Sequence, residues 1–164
     1  YFDTNPNEET LYFMLERWEE DEDDKLHIWV LLDTNNNGSY NDPQDRLIRV
    51  IYKPKKKNSQ VDVDVYDGTG GFIARVAHKA DWGESEKEGG RRVEWGVPFD
   101  VVGITPGQTI RMYAVTTHNK HLKKIEDTTQ EVQWSPANAL GWPLLGGVAL
   151  GGAFLLVRQR RRLP

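Results

Sequence analysis

Short apolar runs separated by polar turns dominate residues 1–134, which is the pattern of β-strands. The clearest run, QVDVDVYD at 60–67, alternates three valines with Asp62, Asp64 and Tyr66. A period of two places alternate side chains on opposite faces of a sheet. We therefore expect the valines in the core and the acidic face in solvent. A second cation site formed by Asp62, Asp64 and Asp67 is the alternative.

Seven further runs have strand-like composition, and Gly, Pro, Asn and Lys-rich turns separate them. They cover residues 10–18, 26–33, 46–52, 71–77, 92–99, 109–118 and 131–134. Residues 1–138 show no convincing helical period over three turns. The sequence thus predicts an all-β domain over 1–134, an antiparallel, jelly-roll-like β-sandwich of seven to eight strands.

The end of the chain has a different pattern. Residues 139–157, ALGWPLLGGVALGGAFLLV, carry no charge, and RQRRRLP at 158–164 follows at once. Nineteen residues span about 28 Å as a helix, close to the hydrocarbon core of a bilayer at about 30 Å. Arg after an apolar span marks the cytoplasmic side, and Trp142 lies near the opposite boundary. We predict a single-pass transmembrane helix with a linker at 135–138, the domain outside and the tail inside.

Gly147 and Gly151 form a G-x-x-x-G pair within this span. Small residues at this spacing let two membrane helices approach closely, which suggests a helix–helix dimer. The plainer interpretation is that glycine is common in such helices.

Charge and cysteine content narrow the function classes. The chain has 21 Lys and Arg against 25 Asp and Glu, and four of the Arg lie in the tail. The remainder has 17 against 25, a net charge of −8, which argues against nucleic-acid binding. There is no cysteine and hence no disulfide, which is unremarkable for a prokaryotic surface protein.

The loop DTNNNGSYNDPQD, residues 33–45, is the main candidate site. Oxygen-bearing side chains occupy positions 1, 3 and 5, and position 6 is glycine; position 7 offers a backbone carbonyl. These are Asp33, Asn35, Asn37, Gly38 and Ser39. Calcium takes six to eight oxygen ligands, and EF-hand-type loops use this spacing around a sharp turn. The sequence predicts a structural calcium site here.

The loop departs from the full pattern at position 12, which is Gln44 where a bidentate Glu is usual. We expect Asp42 or Asp45 to supply the missing charge. The flanking segments are strands, so this is not an EF-hand domain. Two alternatives stay open: a plain Asn-Gly hairpin turn, and N-glycosylation of the sequon at 37–39.

Catalytic signatures are absent from the sequence. It has no cysteine nucleophile, no G-x-S-x-G, no phosphate-binding glycine loop and no H-E-x-x-H. We therefore predict a binding or structural role and no enzymatic activity. We assign most of the tryptophans to the core. Trp82 is the exception, because it lies in a predicted loop where it would suit stacking on a sugar.

Two stretches, LHIWVLLDTNNNG and RVEWGVPFDVVGITPGQTIRMYAVTTHN, resemble family-nine carbohydrate-binding modules and DOMON-type domains. The shared features are an E-x-x-(V/I)-P strand and a G-(I/L)-x-P-G turn, here Glu94, Val97, Pro98, Gly103, Ile104, Pro106 and Gly107. The resemblance covers most of residues 10–120. It implies an extracellular β-sandwich, often with structural calcium and often a binding or accessory module.

The C-terminal segment resembles prokaryotic surface-sorting signals, although WSPANALG contains neither L-P-x-T-G nor Pro-Glu-Pro. The combined prediction is a membrane-anchored prokaryotic cell-surface module with a calcium loop and a binding or structural role. Its partners would be a glycan or another surface protein. The alternatives are a carbohydrate-binding module that uses Trp82, and an accessory domain of a larger surface enzyme or receptor.

Overall fold

The computed structural model describes residues 2–5, 8–17, 26–53, 60–80, 83–84 and 91–135. These residues form eleven strands and one short helix. In chain order they are β1 Phe2–Asn5, β2 Thr10–Arg17, β3 Leu26–Asp33, β4 Arg46–Lys53, β5 Gln60–Asp67, β6 Phe72–Ala80, β7 Gly83–Glu84, β8 Arg91–Pro98, α1 Phe99–Val102, β9 Ile110–Thr117, β10 Ile125–Thr128 and β11 Val132–Trp134.

The strands form two antiparallel sheets. The smaller sheet has the order β1-β2-β8-β7. The larger has the order β10-β9-β3-β4-β5-β6, and β11 also pairs with β9. The predicted all-β, antiparallel class is therefore confirmed. The predicted strand number was too low for the described residues, because β1, β7 and β10 had not been identified. β10 is IEDT and all four of its residues are exposed, so it has no apolar alternation to reveal it.

The main core lies between the two sheets. Leu11, Phe13 and Trp95 from the smaller sheet belong to the same buried cluster as the β3, β4 and β5 side chains of the larger one. The rings of Phe13 and Trp95 stack with centroids 5.4 Å apart. Val61, Val63 and Val65 are completely buried, as the alternation predicted. Burial of each such side chain stabilises the fold by about 2 kcal/mol.

The outer face of the larger sheet is not the wet face that the sequence predicted. Asp62 and Asp64 are only 6% and 1% exposed. A second apolar cluster on this sheet has Trp29, Leu31 and Val115 as its buried residues. It is completed by partly buried side chains, including two from the flanking loops: Tyr40, Leu47, Tyr66, Tyr113 and Leu122. β3 is therefore buried on both faces, which explains its nearly continuous apolar sequence.

Among the described strands, β6 is the last of the larger sheet. It has nine residues, and the side chain of Phe72 at its start is 60% exposed. Its pairing with β5 changes register at three places, and Lys79 has a left-handed φ of 52°. This edge is therefore irregular along its length.

Several predicted features lie outside the described residues. They are Trp82, the apolar span at 139–157 with Gly147 and Gly151, and the basic tail at 158–164. Within the ranges that the structure describes, no helix has the length and hydropathy to cross a bilayer.

Candidate functional site: the loop between β3 and β4

The loop at 34–45 connects β3 to β4 and is held against the β5–β6 turn. Gly68 of that turn lies so close that an added Cβ would be 2.3 Å from the backbone oxygen of Asp42. The same Cβ would be 2.9 Å from Cβ of Asp45. Only glycine fits at this contact, so the loop has a defined position on the body of the domain.

Asp33 organises the first bend of the loop. It is the last residue of β3 and is completely buried. Its Oδ1 accepts the backbone N–H of Asn37 at 3.1 Å, and its Oδ2 accepts that of Gly38 at 2.7 Å. The bend needs left-handed backbone, with φ of 56° at Asn36 and 86° at Gly38. Asn and Gly adopt this conformation most readily, so the bend follows directly from the sequence.

Asp45 closes the base of the loop. It is also completely buried, and it accepts the backbone N–H of Thr34 at 3.2 Å and of Asp42 at 2.9 Å. Burial raises the pKa of Asp45, and these two hydrogen bonds offset part of the rise. The nearby carboxylates of Asp33 and Asp42 raise it further, because like charges disfavour the ionised form of Asp45.

Asp42 faces the amides at positions 3 and 5 of the motif. Its Oδ2 accepts Nδ2 of Asn37 at 2.7 Å and Nδ2 of Asn35 at 3.4 Å. Oδ1 of Asn35 accepts the Asn37 N–H at 3.0 Å, and Oδ1 of Asn37 accepts the Ser39 N–H at 2.7 Å. The loop therefore folds so that Asp42 returns to the residues of the first bend.

The predicted ligand set is thus divided by the structure. Asp33, Asn35, Asn37 and Asp42 are linked by hydrogen bonds around the first bend. Asp45 braces the base of the loop instead. The hydroxyl of Ser39 donates to Oδ1 of Asn41. In a calcium loop of this type, the residue at this position binds the ion through its backbone carbonyl and not through its side chain. Carboxylate and amide oxygens are the hard donors that calcium prefers, so the donor set fits the predicted ion.

Among the residues that the structure describes, no three His, Cys, Asp or Glu side chains are grouped so that they could hold a metal ion. Calcium loops also draw ligands from amides and backbone carbonyls. The calcium site therefore stays a prediction.

Two arginines that the sequence did not single out hold the loop. Nη1 of Arg46 donates to the carbonyls of Pro43, Gln44 and Asp45, at 3.1, 2.7 and 2.8 Å. Nε of Arg111, on β9, donates to Oδ1 of Asn36 at 2.7 Å. Arg111 is far from the loop in sequence, so only the β3–β9 pairing, which sets Asp33 opposite Arg111, brings it there.

The carboxylates of the alternative cation site, Asp62, Asp64 and Asp67, each have different partners in the structure. Asp64 is bound by two arginines from the adjacent strands. Asp62 is 2.9 Å from Nδ1 of His78, and Asp67 closes the β5–β6 turn by accepting the N–H of Thr69. The three carboxylates thus have separate structural roles on β5.

No protein-family model, curated protein or solved structure matches the chain. The similarity to carbohydrate-binding and DOMON-type modules accordingly stays a prediction from the sequence motifs.

Proposed function

We propose that the protein is an anchored cell-surface module with a binding or structural role, whose 33–45 loop holds a structural calcium ion. The observation that supports this most directly is the return of Asp42 to the bend formed by Asp33 and Asn37. It places a second carboxylate beside the oxygen-bearing residues of the D-x-N-x-N-G motif.

The electrostatics of the loop support a cation in the same place. The carboxylates of Asp33, Asp42 and Asp45 are close enough that the first two raise the pKa of the third. Like charges at short range destabilise a folded loop, and a divalent cation bound beside Asp33 and Asp42 would reverse the sign of that contribution.

We assign Asp42 the role of the charged ligand that the motif lacks at position 12. Asp45 is the weaker candidate, because its oxygens accept the N–H groups of Thr34 and Asp42 at the base of the loop, whereas Asp42 accepts the side-chain amides of Asn35 and Asn37. Asp33, Asn35 and Asn37 would supply side-chain oxygens, and Ser39 its carbonyl. An ion held by these residues would fix the loop on the sheet without any chemical step.

Thermal unfolding with calcium and with chelator tests the proposal. At a calcium concentration of 100 Kd, binding stabilises the folded state by about 2.7 kcal/mol, which corresponds to roughly 8 °C in Tm. Asp42→Asn should remove this difference, because it deletes the ligand charge. It should leave the Tm in chelator nearly unchanged, because it also removes a repulsion.

Asp64→Asn is the matched control. It neutralises a buried carboxylate on β5, outside the loop, so it should lower Tm while it preserves the response to calcium. Equal melting curves with calcium and with chelator in the unmodified protein would refute the calcium site.

The anchor is proposed from residues 139–157 and the Arg-rich tail. Expression with and without residues 136–164, followed by membrane fractionation, tests it. We expect the longer chain in the membrane fraction and the shorter one in the soluble fraction. A shorter chain that remains with membranes would show that another part of the protein holds it there.

A further inference from the structure

Asn37–Gly38 is the only Asn-Gly pair in the sequence. In such a pair, the backbone nitrogen of the glycine can attack the side-chain Cγ of the asparagine, because glycine has no side chain to block the approach. Three groups would favour the reaction: a proton acceptor at the attacking N–H, a donor at the side-chain oxygen, and an acceptor that orients the side-chain amide. The loop supplies all three.

The proton acceptor is Asp33. Its Oδ2 accepts the Gly38 N–H at 2.7 Å, and the residue is completely buried at the end of β3. A carboxylate fixed at this distance from an N–H is within reach for general-base catalysis. Gly38 itself is exposed, and an added Cβ would meet only Nη1 of Arg111, at 3.9 Å. The attacking nitrogen therefore has a base on one side and no crowding side chain.

The two other groups act on the amide of Asn37. The Ser39 N–H donates to Oδ1 at 2.7 Å, where negative charge develops as the nitrogen attacks. Oδ2 of Asp42 accepts Nδ2 at 2.7 Å and holds the nitrogen that must leave. Nucleophile, electrophile and leaving group are thus each held by a separate hydrogen bond.

We propose that Asn37 is a self-modification site, at which the folded loop promotes cyclisation of Asn37 with Gly38 and loss of ammonia. A bond forms between the Gly38 nitrogen and Cγ of Asn37, and the Gly38 proton passes to Asp33. The Cγ–Nδ2 bond breaks, and the nitrogen leaves as ammonia after it takes up a proton that Asp33 returns through water. Water then opens the cyclic imide to give aspartate or isoaspartate, and no oxidant or reductant is needed.

Both products would add one negative charge to the loop, but they differ in the path of the backbone. Aspartate at 37 would add a carboxylate at position 5 of the calcium motif and increase the negative charge of the loop. Isoaspartate would lengthen the backbone by one carbon within the bend that Asp33 organises. The fraction of molecules modified at Asn37 would therefore increase with time, in the loop that we propose to bind calcium.

The test compares the rate of conversion in the native and denatured states of the full chain. The protein is incubated in chelator at mildly alkaline pH, either native or in guanidinium chloride, and the Asn37 peptide is quantified by mass spectrometry. Chelator makes the outcome independent of calcium binding. Asn119 is the internal reference, because its Oδ1 also accepts the N–H two residues later, at 2.9 Å, but lysine follows it.

The measured quantity is the rate of conversion of Asn37 divided by that of Asn119. This ratio should be at least about tenfold larger in the native than in the denatured protein, since a positioned base contributes about 10² to 10⁴ in rate. Asp33→Asn should bring the native rate down towards the denatured one. Equal or slower conversion in the native protein would overturn the proposal.

A folded Asp33→Asn variant that converts as fast as the parent would remove Asp33 from the reaction and overturn the mechanism. Circular dichroism establishes that the variant is folded. If it is not, the comparison of the native and denatured parent decides the question alone, because that comparison needs no substitution.

Discussion

Asp64 and Asp45 are both buried carboxylates of the larger sheet and its loop, yet they are stabilised in different ways. Asp64 accepts Nη2 of Arg49 at 2.7 Å and Nε of Arg75 at 2.6 Å. Burial alone would raise the pKa of Asp64, but the hydrogen bonds and charges of the two arginines outweigh it and lower the pKa. Asp45 has backbone N–H donors and two neighbouring acids, and its pKa is raised.

The difference separates two uses of a buried acid. On the sheet, cross-strand pairing sets Arg49 and Arg75 opposite Asp64, so the negative charge is matched within the fold. In the loop, the carboxylates shape the backbone, and their charges are only partly balanced. A region with unmatched negative charge is where a cation would gain most, which is why the loop and not the acidic strand is the candidate site.

The largest expected effect is at Asp64. Asp64→Ala should lower the free energy of unfolding by about 3 kcal/mol, because it leaves a largely buried guanidinium of Arg49 without its partner. Urea unfolding measures the change. Glu94→Ala is the control. The Glu94 carboxylate is 65% exposed, and its Oε1 is 3.8 Å from Nε of Arg92, which is a long distance for an ion pair. It should change stability by less than about 0.5 kcal/mol. Similar losses at both positions would contradict the distinction between buried and exposed acids.

Gly68→Ala should have the next largest effect. The new methyl would overlap the Asp42 backbone oxygen, and such overpacking costs about 2 kcal/mol. Because the loop must move, the response to calcium should weaken as well. Gly70→Ala is the control: its φ is 94°, but an added Cβ meets nothing within 4 Å. Gly70→Ala should destabilise the fold by about 1 kcal/mol through backbone strain, and the increase in Tm on adding calcium should be unchanged.

The smallest effect is the acid dependence of stability, where the two carboxylates have opposite signs. The raised pKa of Asp45 means that its protonation favours the folded state, so its contribution grows as pH falls through the raised value towards 3.8. The lowered pKa of Asp64 gives a contribution that is present above 3.8 and is lost as pH falls through the lower value.

Denaturant midpoints measured in chelator from neutral pH to below 3.8 should therefore shift in opposite directions in the two variants. Asp45→Asn should remove the stability that the parent protein gains as the pH falls. Asp64→Asn should reduce the stability that the parent loses at the lowest pH values. Parallel shifts in both variants would show that the two carboxylates titrate in similar surroundings.

Local patterns predicted the strands well, but not their exposure. The bounds of β3 and β5 agree with the predicted runs at 26–33 and 60–67. Asp62 and Asp64 were expected in solvent because polar residues alternating with valine usually face water. Their burial depends on side chains from other strands, and the β4–β5–β6 register that supplies Arg49, Arg75 and His78 is a property of the whole sheet.

The same division applies to the loop. The motif spacing identified Asp33, Asn35 and Asn37, and the structure links them within the bend. It could not choose between Asp42 and Asp45, because that depends on which carboxylate turns back to the amides. Nor could it identify Gly68 or Arg111, which are distant in sequence and reach the loop through β-sheet pairing.

The irregular β6 edge has a consequence for copies of the domain that meet at high concentration. A regular outer strand offers its free N–H and C=O groups as a template on which the next molecule can extend the sheet. The three register changes and the left-handed Lys79 break that template into short pieces. Adjacent copies would then remain separate neighbours even when crowded, rather than joining into a continuous ribbon.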